Sequence, residues 1–195
     1  FFLLLVQHTR AGTKTLQAYF LRQIEKIRRD RLVLKNRLDV EEHLSERNQT
    51  IYYSAWYYSA IHVMLSVPQF QTKEAISDYI GMPLGLVSSV LDFLVSGGLA
   101  KYDGNKFQIR TKRIHLGSDS SLISKHHMNW RLRAMHALDQ QINEDLHYSF
   151  VVSLSRKDVE KMKALLIEQI QTVKEQIRIS PEEEIYSFCL DFFRV

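Results

Sequence analysis

The chain has 195 residues, 45% hydrophobic and 25% charged, with seven glycines and three prolines. That is enough for one large domain or two small ones, and too few backbone breakers for long disordered linkers. A single cysteine, Cys189, excludes an internal disulfide framework and suits a reducing, cytoplasmic setting, while the net charge of +4 permits phosphate contacts without requiring them.

The charge is unevenly placed. Residues 1–50 hold ten basic and six acidic side chains, residues 51–113 six and four, and residues 114–195 ten and twelve. The chain does not open on methionine and is expected to be a piece of a longer protein. Its first six residues, Phe-Phe-Leu-Leu-Leu-Val, form too short an apolar run for a signal peptide or a membrane span of about 20 residues. They read as the tail of a helix, with no membrane partner expected.

After a break at Thr9–Gly12, helical spacing runs through Leu16, Phe20, Ile24, Ile27, Leu34 and Leu38. Arg22, Lys26, Arg28, Arg29, Arg31, Lys35 and Arg37 fill the other side. Such a stripe either follows a nucleic-acid backbone or is the wet face of a connector helix. Glu25 and Asp30 interrupt it and favour the connector, which is assigned to residues 1–50.

Residues 51–116 have the order of a winged helix. One helix is expected over "IYYSAWYYSAIHVMLSV", with Tyr52, Trp56, Ala60, Val63, Met64 and Val67 on one side. So dense an aromatic stripe could stack bases, but at this spacing it reads as core. His62 has no obvious partner. Thr72 can cap the next helix, with Ala75, Ile76, Tyr79 and Ile80 as its buried face and Gly81 as its stop. Pro83 suits the first turn of another helix, on which Val87, Val90, Leu91 and Leu94 recur at i, i+3, i+4 and i+7. Gly97-Gly98 stops it, and "LAKYDGNKFQIR" folds as a hairpin around Asp103-Gly104.

Residues 117–195 read as a C-terminal α/β domain for sensing or association. A helix with Ile123, Met128 or Trp130, Met135, Leu138 and Ile142 inward precedes an alternating strand through Tyr148, Phe150, Val152 and Leu154. Ser155, with Asp158 three residues on, caps a long helix whose seam is Val159, Met162, Leu166, Ile170, Val173 and Ile177. A second alternating strand, Ile185 to Phe192, follows Pro181. Strand, helix, strand implies a right-handed parallel crossover if the strands are adjacent. The fold class is therefore α+β, mainly helical: a winged helix-turn-helix, then a helix and a strand-helix-strand unit.

The stretches Tyr52–Trp56, His115–Leu116 and Ser149–Val159, with the closing "EEIYSFCLDFFRV", resemble a bacterial family of transcription regulators catalogued chiefly as a domain of unknown function. The resemblance covers essentially the whole chain. It implies a regulator, usually with a Cro-like helix-turn-helix domain ahead of the region present here, and brings no ligand, operator or catalytic residue.

No enzyme is expected. No glycine loop cradles a nucleotide, since Gly97-Gly98 ends a helix. His126 and His127 are adjacent on a helix and point about 100° apart, so no metal site is expected from them. Cys189, on an alternating strand, reads as a small buried residue. No cofactor is expected.

The helix that should enter DNA carries no lysine or arginine. Its outward positions are Leu84, Gly85, Ser88, Ser89 and Asp92, a poor set for reading base edges. Cations gather on and after the hairpin: Lys101, Lys106, Arg110, Lys112 and Arg113. These, with Ser88 and Ser89, are the candidate DNA-binding residues, positioning contacts more than specifying ones.

Three readings stand. The chain is the association, sensing and auxiliary backbone-contact part of a DNA-binding regulator, or a winged-helix module that docks a protein through Leu84 and Val95. Alternatively, a small effector binds between the 121–143 helix and the C-terminal unit. A homodimer is expected, since palindromic operators favour two-fold proteins, and the closing strand and the long 156–178 helix offer an edge and an apolar seam for self-association.

Overall fold

The structure is a computed structural model that describes residues 2–32, 44–110, 114, 120–140, 142 and 144–195. Its helices are α1 (Phe2–Arg10), α2 (Lys14–Leu32), α3 (Glu46–Tyr52), α4 (Trp56–Met64), α5 (Lys73–Ile80), α6 (Leu84–Ser96), α7 (Ile123–Gln140) and α8 (Arg156–Ile179). A 3-10 turn, Pro68–Phe70, precedes α5, and strands β1 (Ala100–Tyr102) and β2 (Phe107–Ile109) follow α6. The fold is mainly helical with one small antiparallel sheet, an α+β arrangement. Among the described residues no helix is long and apolar enough to cross a membrane.

Two compact units divide the chain: Phe1–Asp39 with Val152–Ile179, and Val40–Val151 with Ser180–Val195. In the first, Thr13 Oγ1 accepts the N–H of Leu16 at 3.2 Å and starts α2. Ile24 is buried and Phe20 and Ile27 are half-buried, whereas Leu16 is exposed. Leu34 and Leu38 lie outside the described residues. Ser155 Oγ accepts the Asp158 N–H at 3.1 Å and donates to Asp158 Oδ2 at 2.7 Å, so the shorter carboxylate closes the capping box at the start of α8. Val159, Met162, Leu166, Ile170 and Val173 are half-buried as the seam predicts. Ile167 is deeper than any of them, and Ile177 is exposed.

The second unit has an aromatic and aliphatic core from α4, α5, α6 and β1, with Ile61, Met64, Ile76, Val87, Leu91 and Leu94 sealed from solvent. The aromatic stretch expected as one helix is two, α3 and α4, broken at Tyr53–Ala55. The break turns His62 inward and Val63 out: His62 is 1% exposed and Val63 44%. Thr72 Oγ1 accepts the Ala75 N–H at 3.3 Å, and Gly81, at φ 65°, ends α5 in the left-handed region. Tyr79, expected inside, is half-exposed with its ring 4.4 Å from that of Phe70. Pro83 is the N-cap of α6. The face Val87, Val90, Leu91 and Leu94 is fully buried as its spacing predicts.

On α7 the packed face is only partly the predicted one: Ile123 packs on the core, and of the alternatives Met128 and Trp130 it is Trp130 that is half-buried. Ile123, His126, Asn129 and Arg133 turn toward the unit's core, while Met128, Met135, Leu138 and Ile142 are exposed. The surface α7 meets is a rim of Tyr53 and Trp56, and aromatic and polar side chains suit it better than aliphatic ones.

The strand-helix-strand unit is corrected in its strands. Among the described residues, 146–155 and 184–195 enter no sheet, and no backbone hydrogen bond forms within residues 146–151, within 184–195, or between those two runs of the second unit. Their alternation is real: the rings of Tyr148 and Phe150 lie 5.5 Å apart, and Ser187 Oγ is 3.7 Å from Cys189 Sγ, as side chains two apart on pleated backbone do. Period two sets the direction of side chains, but a strand also needs a ladder partner. Cys189 is accordingly exposed, not buried.

Candidate nucleic-acid interface

The hairpin after α6 is short and well fixed. Ala100 faces Ile109, Lys101 faces Gln108, and Tyr102 faces Phe107. Alternation therefore puts Tyr102 and Phe107 on one side, their rings stacked 4.4 Å apart, and Lys101 with Gln108 on the other. At the tip Asp103 Oδ1 accepts the N–H groups of Asn105 at 3.0 Å and Lys106 at 2.8 Å, and Gly104 takes φ 97°. Those two hydrogen bonds, with the nearby Lys101 ammonium, hold the Asp103 carboxyl below its usual pKa range. The base is anchored where Phe107 donates its N–H to Gln71 O at 2.8 Å and Arg110 donates to Leu99 O at 2.9 Å.

Lys101, Lys106 and Arg110 are all exposed on this rigid support. Lys112 and Arg113 lie outside the described residues. The helix α6 offers less. Ser88 is half-buried, and Ser89 is exposed but donates its hydroxyl back to Gly85 O at 2.9 Å. Asp92 is exposed beside them, and Leu84, Leu86 and Val95 add apolar surface. The structure thus brings three predicted cations onto one hairpin and leaves the two serines on a helix with no cation of its own.

Sequence reasoning missed the contacts that seat α7. Arg133 lies with its guanidinium carbon 4.4 Å from the centre of the Trp56 ring, Asn129 Nδ2 donates to Tyr53 O at 3.1 Å, and the His126 and Tyr53 rings meet edge-on at 5.1 Å. Burial, then the charges of His127 and Arg131, push the His126 pKa down to about 4, so this imidazole is neutral at pH 7 and is no phosphate-binding cation. No spacing rule links residues so far apart in the chain. Among the described residues no three His, Cys, Asp or Glu side chains converge on a metal site.

A family model described as a domain of unknown function, DUF4423, matches residues 35–195. The chain belongs to that family. Neither curated proteins nor solved structures gave a match. The DUF4423 match takes in the hairpin, α6, α7 and the closing apolar segment.

Proposed function

We propose that this chain is a non-catalytic, cytoplasmic part of a transcription regulator in which α4, α5, α6 and the hairpin make a winged helix. The wing grips a nucleic-acid backbone through Lys101, Lys106 and Arg110. The carrying observation is the fixed hairpin with three exposed cations and a tip locked by Asp103. Phosphate contacts of this kind give affinity and orientation and carry no sequence information. Base reading is not built into α6, where Ser89 is already engaged and Asp92 repels phosphate.

Reversing the three charges (Lys101→Glu, Lys106→Glu, Arg110→Glu) and measuring the anisotropy of labelled duplex DNA tests this reading. Loss of binding in a folded variant supports it, and unchanged binding overturns it. A second reading, docking of a protein partner without DNA, is favoured by the exposed Leu84, Leu86 and Val95 on the same helix. In that case the chain fails to bind DNA even at low salt.

A further inference from the structure

Residues 180–195 are tied to the rest of the second unit at Glu183, Ile185 and Asp191. Gln69 Nε2 donates to Glu183 O at 3.4 Å, Ile185 packs on the core, and Arg131 of α7 forms a charged pair with Asp191, its Nε at 2.9 Å. Yet residues 184–195 offer their backbone to no strand among the described residues, and Tyr186, Phe188, Phe193 and Val195 are more than half exposed. Leu146, Tyr148, Phe150 and Val151 of the same unit are in the same condition. A fixed, apolar, unladdered edge is a template for strand addition.

We infer that a second copy of this chain covers these segments, so that two protomers lay residues 146–151 and 185–195 edge to edge and complete a sheet that neither builds alone. Three observations select a second copy. First, both segments carry the tripeptide Tyr-Ser-Phe, at 148–150 and 186–188, each followed by two further uncharged residues, so like strands pair with aromatic opposite aromatic. Second, the segments are almost uncharged. Between them they hold one carboxylate, Asp191, already matched by Arg131, and one guanidinium, Arg194, so neither a nucleic acid nor a strongly charged protein is matched. Third, the area suffices. Tyr148, Phe150, Tyr186, Phe188 and Phe193, each 61–82% exposed, together present on the order of 700 Å². A standard interface takes about 800 Å² from each partner. Met128, Met135 and Leu138 extend the patch, since they flank Arg131 on the same side of α7.

The mass of the full chain in solution at about 20 μM, by light scattering after gel filtration, tests the inference. The expected value is twice 22.9 kDa, falling to 22.9 kDa for Phe188→Lys and for Tyr148→Lys. Both side chains are exposed in the single chain, so neither change removes a contact that a folded protomer needs. Hydrogen exchange of the unaltered chain is the second measurement, with the amides of residues 186–193 expected to gain protection as protein concentration rises. A monomer at 100 μM overturns the proposal and leaves the edge to a different protein. A dimer that survives both substitutions, or amides that exchange at one rate across all concentrations, overturns it equally.

Discussion

The phenol oxygen of Tyr52 lies 3.0 Å from Nδ1 of His62, a buried hydrogen bond that ties the end of α3 to α4 across the turn at Tyr53–Ala55. Burial, and secondarily the neighbouring Tyr53, raise the pKa of this phenol well above its ordinary value, so it stays neutral and serves as a structural hydrogen-bonding group. Tyr52→Phe keeps the ring and removes its hydrogen bond to the buried imidazole. The expected loss is about 1–2 kcal/mol, read as a lower urea midpoint at unchanged m-value.

His126 makes the fold sensitive to mild acid. Its pKa is lowered from 6.5 to about 4, so between those values the unfolded chain binds a proton that the folded chain does not. Stability from this group is therefore present above pH 6.5, declines as pH falls toward 4, and is flat below that. Thermal melts across this range should show Tm falling more steeply for the unaltered chain than for His126→Gln. Parallel curves would contradict the assignment.

The Arg133–Trp56 contact seats α7 on the second unit. A double-mutant cycle with Arg133→Gln and Trp56→Leu is expected to give a coupling of about 0.5–1 kcal/mol, the range for a partly solvated cation–π pair. Additive effects would mean that Ile123, Asn129 and the His126 ring hold α7 without it.

Much of the second unit was legible because its signals are local. Thr72, Gly81 and the repeat Val87, Val90, Leu91 and Leu94 set the ends and buried face of two helices by themselves, and Asp103-Gly104 sets the turn. The break between α3 and α4 was not legible, since aromatic residues occur on both sides of it and no glycine or proline marks it. The packed side of α7 is only partly legible for a related reason: Ile123 and Trp130 turn in as the spacing allows, but hydrophobicity favours Met128 and Met135, whereas the surface available to α7 selects His126, Asn129 and Arg133. Alternation in residues 146–154 and 185–195 signalled side-chain direction and left the ladder partner unstated. Of the candidate DNA-binding residues, hairpin exposure followed from register, while the Ser89 back-bond to Gly85 depended on a rotamer that no spacing encodes.

Asp103 sits among the hairpin cations as the one opposing charge. Asp103→Asn retains an oxygen to accept the Asn105 and Lys106 N–H groups and removes the charge. DNA affinity at low salt is expected to rise, by up to about fivefold, because the repulsion between this carboxylate and the phosphates is removed. A fall in affinity would place Asp103 in contact with a donor on the nucleic acid.

The most direct test of backbone contact by the wing is the salt dependence of binding to duplex DNA of mixed sequence. Three phosphates neutralised by Lys101, Lys106 and Arg110 predict that log K falls with log salt at a slope of roughly −2.7, with little change between unrelated sequences. A flat slope, or no binding at the lowest salt, would contradict the wing as a DNA contact and assign α6 and its exposed Leu84 and Val95 to a protein partner.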